Sequence, residues 1–277
     1  MEAVVLMLIL GVGLGAGIGI AAKFLAVEGD PRVGEIEALL PGVNCGACGF
    51  PGCSGFARAL ADGKTTPETC TSSTPAMIHK IAALMGVEAG EIVAKVAVVR
   101  CGGDSRLALW SARYNGVADC RSANLVAGGT KACGHGCLGL GTCARVCPVN
   151  AIEITPGGLA VVHPDLCIGC GKCVRTCPRS LIAMAPKSAP LHNLCNNPGK
   201  GAAKRKVCQV ACIGCTKCVK EDGQGRMIME GTLARVNYAN PPPAELAAVC
   251  PTHSLQPSLL VCNQMPALQE KDATVHV

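Results

Sequence analysis

From Val4 to Ala22 the chain runs through 19 positions without a charge. As a helix rising 1.5 Å per residue this stretch covers roughly 28 Å, about one hydrocarbon core, so the pattern predicts a single transmembrane helix. A secretory signal would carry a basic n-region ahead of the run, whereas Met1 and Glu2 stand there and the first basic residue, Lys23, follows it. Glycines 11, 13, 15, 17 and 19 give overlapping GxxxG spacing, which lets a second helix approach closely inside a multi-subunit membrane complex. The plainer reading is a lone anchor whose glycines have no partner. Beyond a linker around VEGDPRVGE the periodicity changes. AIEITPGGLAVVHPD (151–165) reads as two short strands around a Pro-Gly-Gly turn, RMIMEGTLARVNY (226–238) as a second hairpin, and PPPAELAAV (241–249) as a Pro-started helix.

Composition changes what must hold these short elements together. The 277 residues include 21 cysteines but only three Phe, two Tyr and one Trp, so aromatic burial is not the main source of stability. An odd cysteine count with short, regular spacings argues against a disulfide framework and for metal, whose binding contributes directly to folding.

The first array is Cys45-x2-Cys48-x4-Cys53-x16-Cys70, with Gly, Ala and Pro between the first three sulfurs. Small residues admit backbone N–H groups to sulfur, which stabilises the negative charge of an iron-sulfur cluster, although four cysteines also satisfy tetrahedral zinc. Farther on, Cys167, Cys170, Cys173 and Cys177-Pro178 fit C-x2-C-x2-C-x3-C-P, the bacterial ferredoxin run in which the fourth cysteine serves the other cluster. Its upstream partner is degenerate: in Cys133-x3-Cys137-x5-Cys143-x3-Cys147-Pro148, Leu140 takes the middle cysteine's place and Cys133 is available as substitute. Cross-wiring then predicts one cluster on Cys133, Cys137, Cys143 and Cys177 and another on Cys147, Cys167, Cys170 and Cys173. CIGCTKCVK at 212 repeats CIGCGKCVR at 167, an internal duplication, but Asp222 occupies the fourth-cysteine place. A one-cluster module on Cys212, Cys215, Cys218 and Cys250 is expected, with Cys208 as a competitor for the place of Cys215.

Cys101, Cys120, Cys195, Cys208 and Cys262 remain, either as buried or free thiols or, for Cys101, Cys120, Cys195 and Cys208, as a further cluster. His135 reads as a hydrogen-bond donor or as a Rieske-type ligand. KGAAKRK (200–206) reads as a cationic loop, either a solvated face or a surface that steers an acidic electron carrier.

The formal charge of +6 counts cysteines as neutral. Four oxidised clusters at roughly −2 each would bring about −8 and leave the holoprotein mildly acidic. With so few aromatics for stacking, nucleic acid is not an expected partner. Gly11-Val-Gly13-Leu-Gly15-Ala16 matches a dinucleotide fingerprint, but no strand precedes it and no acidic residue follows at about 20 positions, so it is rejected. Reduced thiols place the large C-terminal part on the cytoplasmic side.

An apolar helix followed by LLPGVNCGACGFPGCSGFARALADG, Cys70, and then YNGVADCRSANLVAGGTKACGHGCLGLGTCARVCP resembles the B subunits of Rnf ion-translocating ferredoxin:NAD oxidoreductase complexes, in the long form found in anaerobes. The resemblance implies 4Fe-4S clusters on the positions above, three plainly marked and four in all. It also implies reduced ferredoxin as donor, other membrane and peripheral subunits as partners, sodium or proton export as the coupled process, NAD reduction on a different subunit, and residence in the cytoplasmic membrane. This chain departs from that pattern at Ser105, where relatives often carry a cysteine, and in lacking a second C-terminal cysteine triplet. The expected fold class is α+β: a transmembrane anchor (1–27), a small helical 4Fe-4S domain (28–90), a connecting segment (91–130), a two-cluster ferredoxin-like βαβ domain (131–190), a degenerate one-cluster module (191–262) and a tail (263–277). An iron-sulfur subunit of another oxidoreductase, hydrogenase-type or corrinoid-linked, and a non-redox zinc-stapled scaffold are the alternatives.

Overall fold

A computed structural model of the chain describes residues 2–25, 30–90 and 93–258, so Cys262 and the 263–277 tail lie outside the described residues. The architecture is mixed helix and strand. Helix α1 (Glu2–Leu25) carries the apolar run; its span Val4–Phe24 is long and apolar enough to cross a membrane and is exposed along its length. Glu2 in its first turn and Lys23 in its last complement the helix dipole.

Three helices form the next unit: α2 (Pro31–Leu39), α3 (Gly52–Ala61) and α4 (Pro75–Met85). Capping residues set the ends of two of them. Asp30 accepts from the Arg32 N–H with Pro31 at the first position of α2, Thr74 accepts from the Met77 N–H at α4, and Gly86 stops α4 in the left-handed region. Ile36, Phe56, Leu60 and Ile81 pack together fully buried, each contributing about 1.5–3 kcal/mol. Phe50 lies tilted against Phe56, with ring centroids 5.7 Å apart and planes at 55°.

The rest of the chain folds twice into the same order of elements. In the first module β1 (Lys95–Val99) is followed by α5 (Cys120–Leu125), α6 (Thr142–Arg145), the hairpin β2 (Ile152–Ile154) and β3 (Ala160–Val162), α7 (Lys172–Thr176) and β4 (Ile182–Pro186). The second comprises β5 (Leu191–Asn193), α8 (Gly201–Val207), α9 (Lys217–Asp222), the hairpin β6 (Met227–Glu230) and β7 (Leu233–Val236), a 3-10 turn at Ala244–Val249 and β8 (Leu255–Pro257). First strand pairs with last, β1 with β4 and β5 with β8, and the inner strands pair as hairpins. This is the β-α-β-β-α-β order of ferredoxin-like folds. Every strand pair among the described residues is antiparallel, so the expected βαβ units contain no parallel crossover.

Two further expectations change. Residues 91–130 are more than a connector, because they supply β1, which closes the first module against β4. Residues 201–207 form helix α8 rather than a loop, and Lys204 is buried there, its Nζ donating to the Thr232 carbonyl at 3.0 Å and hydroxyl at 3.2 Å.

The two modules share a seam. Val98, Ala185, Leu194 and Tyr238 pack across it. The strand-like segment around Ala108 bridges to Cys208, the Leu109 N–H donates to the Val207 carbonyl, and the Gln209 N–H donates to the Leu107 carbonyl.

Candidate metal centres

Cys45, Cys48, Cys53 and Cys70 line one cleft of about 330 Å3. Asn44 places the first three: it sits in the left-handed region at φ 49° and its Oδ1 accepts the Cys53 N–H at 2.7 Å, folding the loop back on the start of α3. Hydroxyls meet the sulfurs, with Ser72 Oγ 3.3 Å from Cys45 and Ser73 Oγ donating to Cys70 at 3.1 Å.

In the ferredoxin-like modules one local design recurs. Gly139, Gly169 and Gly214 turn the chain at φ 70° two residues after Cys137, Cys167 and Cys212, and Gly141, Gly171 and Thr216 turn it again at φ 75°, 67° and 61° to start α6, α7 and α9. The close approach makes Gly169 necessary, since a Cβ there would lie 2.6 Å from the Lys95 carbonyl oxygen. After each Cys-Pro pair the chain turns through Asn150, Ser180 or His253 at φ 49–53°. That turn aims a donor back at the sulfur: Ala151 N–H to Cys147 at 3.2 Å, Leu181 N–H to Cys177 at 3.5 Å, and Ser254 Oγ 3.3 Å from Cys250. Such donors favour negatively charged sulfur. At Cys250, though burial opposes it, hydrogen bonds from Ser254 and from neighbouring backbone hold the thiol below its usual range.

Cys147, Cys167 and Cys170 neighbour Cys173: burial first, and then Cys167, Cys170 and Cys147, push its thiol up to about 12. Cys212, Cys215, Cys218 and Cys250 line a cleft of about 320 Å3, and Cys208 is not among its lining residues.

The remaining ferredoxin set is placed differently from the expected grouping: Cys137, Cys143 and Cys177 line a cleft of about 390 Å3 together with Cys120, and Cys133 is not among its lining residues. Asp119 caps α5 and also accepts from Thr142 Oγ1 at 2.9 Å, while the Cys120 N–H donates to that same hydroxyl at 2.7 Å. These bonds hold the start of α5 over α6, where Leu140 leaves the middle ligand missing. Cys133 is carried elsewhere because the Trp110–Lys131 bridge and the Ala132 N–H to Leu109 carbonyl bond tie its approach to the inter-module seam. There it lines a different cleft with Cys101, Cys195 and Cys208; His135 lines this cleft too. Spacing alone carries no signal for Cys120, since it lies far from the array it completes.

These sites fit a bulky anionic-sulfur cluster better than an ion. Three of the cysteine groups line clefts of about 320–390 Å3 with N–H and O–H donors aimed at sulfur, an environment that favours a bulky anionic cluster. Burial pushes Cys143 up to about 12 and Cys137 and Cys218 up to about 11, and a cationic core beside them would favour their thiolates.

The groups also neighbour one another. Cys45 of the first unit stands close enough to Cys170 to raise its thiol after burial does, and Cys173 does the same to Cys143.

Known proteins share these features. A family model described as "Putative Fe-S cluster" matches residues 40–72, and one described as "4Fe-4S dicluster domain" matches 132–180. The B subunit of the proton-translocating ferredoxin:NAD(+) oxidoreductase complex of Clostridium ljungdahlii is 38% identical over 256 residues, covering 91% of this chain and 90% of that protein. The B subunit of the Na(+)-translocating ferredoxin:NAD(+) oxidoreductase complex of Acetobacterium woodii is 41% identical over 219 residues, 79% of this chain and 66% of that protein. The B subunit of the ion-translocating oxidoreductase complex of Methanosarcina acetivorans is 36% identical over 248 residues, 89% of this chain and 94% of that protein.

Proposed function

As the chain belongs to the family of B subunits of ion-translocating ferredoxin:NAD(+) oxidoreductase complexes, we propose that it is the iron-sulfur electron relay of such a complex, taking electrons from reduced ferredoxin and handing them to partner subunits. Four 4Fe-4S clusters would be held by Cys45, Cys48, Cys53 and Cys70; by Cys120, Cys137, Cys143 and Cys177; by Cys147, Cys167, Cys170 and Cys173; and by Cys212, Cys215, Cys218 and Cys250. When bound, each cluster supplies one-electron redox chemistry. The polypeptide does the rest: it fixes the thiolates, aims N–H and O–H donors at them to set potential, and buries them against water.

The observation that carries this reading is adjacency: Cys137, Cys143 and Cys173 pack in one core with Cys147, Cys167 and Cys177 against it, and the Gly169 turn between Cys167 and Cys170 approaches Thr71, the residue after Cys70. Such spacing has no purpose in a zinc-stapled scaffold. Cys215 is the exposed cysteine of the far group and marks an end open to a soluble donor. With α1 in the cytoplasmic membrane, the cysteine-rich part belongs on the cytoplasmic side, where thiols stay reduced.

Cys48→Ala tests the relay. In anaerobically purified complex it should bleach part of the absorbance at about 400 nm and stop ferredoxin-dependent NAD reduction. Unimpaired reduction by that variant, or colourless wild-type protein, overturns the proposal.

A further inference from the structure

The row of cysteine groups has a gap between the 120–177 set and the 212–250 set, and the cleft at the inter-module seam fills it. We propose that Cys101, Cys133, Cys195 and Cys208 hold a fifth 4Fe-4S cluster, shared equally by the two modules. The inference rests on the iron-sulfur reading above.

Its ligands obey the duplication. Cys101 follows the end of β1 by two residues and Cys195 follows the end of β5 by two. Cys133 precedes Cys137 by four residues, and Cys208 precedes Cys212 by four. The backbone at the paired positions is matched as well. Arg100 N–H donates to the Leu181 carbonyl at 2.8 Å, Leu194 N–H donates to the Ser254 carbonyl at 2.7 Å, and both acceptors stand four residues after a Cys-Pro cysteine. The Cys137 N–H donates to Cys101 Sγ at 3.3 Å, and the Cys212 N–H donates to Cys195. Each module therefore delivers the same two thiols to one place, as a repeated fold does when its copies meet around a common centre.

The cleft has the attributes of the other four. It encloses about 390 Å3, the same as the 120–177 cleft. Donors reach its sulfurs, including Asn197 Nδ2 on Cys133 at 3.4 Å and the Val210 N–H on Cys208. The backbone closes tightly over it, for a Cβ on Gly103 would lie 2.9 Å from Cys208 Sγ. Two cations line it. Lys131 is buried, and Arg100 has a buried Nε with no hydrogen-bond partner, a cost that a dianionic cluster beside it would offset. Four thiolates complete the ligand set, so His135 remains a neighbour.

The site also supplies continuity. Cys101 lies against Cys137 of the set before it, and Cys195 against Cys212 of the set after it. Four inert thiols there would leave the 212–250 group isolated from the row.

Iron and acid-labile sulfide per chain, with native mass spectrometry of the anaerobic full-length protein, decide the matter. Wild type should hold about 20 iron, and Cys208→Ala and Cys101→Ser should each hold about 16, one cluster mass lighter, with the other clusters' EPR signals retained. A wild-type value of about 16 unchanged in both variants, or one zinc per chain removed by them, overturns the fifth cluster while leaving the relay standing. Iron-free wild-type protein would overturn the relay itself.

Discussion

At Leu140 the first ferredoxin-like module lacks the middle cysteine of its array, and at Asp222 the second lacks the fourth. The first replaces its ligand from a distance: α5 brings Cys120 over α6, and the cleft keeps four thiols. The second does not replace its ligand. Asp222 is buried and accepts from Arg226 Nε at 2.6 Å and from the Arg226 and Met227 N–H groups at 2.7 and 3.1 Å, so the vacated place becomes a polar staple for the start of β6. Burial opposes ionisation there, yet these donors hold the carboxyl below the usual carboxylate range. A lost ligand thus has two outcomes within one chain. A four-thiol cleft persists where three thiols remain to be joined by a fourth; where the partner thiols are missing too, the fold converts the position to a structural bond.

The largest effect follows from the recruited ligand. Cys120→Ala should remove about four iron per chain and the signal of that cluster. The backbone around Leu140 still repeats that around Cys170, with Gly139 and Gly141 at φ 70° and 75° against 70° and 67° for Gly169 and Gly171. Adding Leu140→Cys to Cys120→Ala should therefore restore the iron by returning the array to C-x2-C-x2-C. Full iron in the single variant would show that Cys120 is no ligand, and a double variant that stays depleted would show that the loop at 140 no longer faces the cluster.

Much of this contrast is legible in the chain without its fold. The two hairpins, the apolar anchor and the 167–177 and 212–218 arrays follow from local periodicity and spacing, and each lies within a few residues of where the pattern puts it. Features set by distant partners are hidden. β1 is a five-residue strand whose partner β4 lies at the opposite end of the module in sequence, so Lys95–Val99 carries no turn or spacing signal for its pairing. Cys120 loses its place to Cys133 when sequence proximity stands in for spatial proximity. The repeat that relates Cys133 to Cys208 is visible in the spacing. Its meaning needs the strands, since only their ends show that Cys101 and Cys195 are equivalent. Lys204, one of four cations in a stretch that reads as solvated, is instead buried because the turn before β7 presents the Thr232 oxygens to it.

A smaller effect tests the structural conversion. Asp222→Ala strands Arg226 and two backbone N–H groups, and should destabilise the second module by about 1–3 kcal/mol with iron content unchanged. Asp222→Cys should add no iron, because residues 219–249 contain no cysteine to join it. Denaturant unfolding followed by far-UV dichroism, alongside iron analysis, checks both. Iron lost in Asp222→Ala at unchanged stability would make the carboxylate a ligand and abolish the contrast between the modules.

The smallest effect concerns the turn that starts each ligand helix. Gly141 and Gly171 occupy the left-handed region in the first module, whereas the second places a β-branched Thr216 there at φ 61°. A non-glycine residue in that region costs roughly 1 kcal/mol or somewhat more, mainly from Cβ against the following carbonyl. Thr216 Oγ1 accepts no capping bond from the first N–H groups of α9 that would offset this cost. Thr216→Gly should therefore stabilise the second module by about 1 kcal/mol, raising its apparent melting temperature by a few degrees at the same iron content. The reciprocal Gly171→Thr should destabilise the first module by a similar amount, since the two turns share one geometry. If Thr216→Gly melts no higher than wild type, the strain at 216 is already relieved by its surroundings, and the modules differ there in sequence but not in energy.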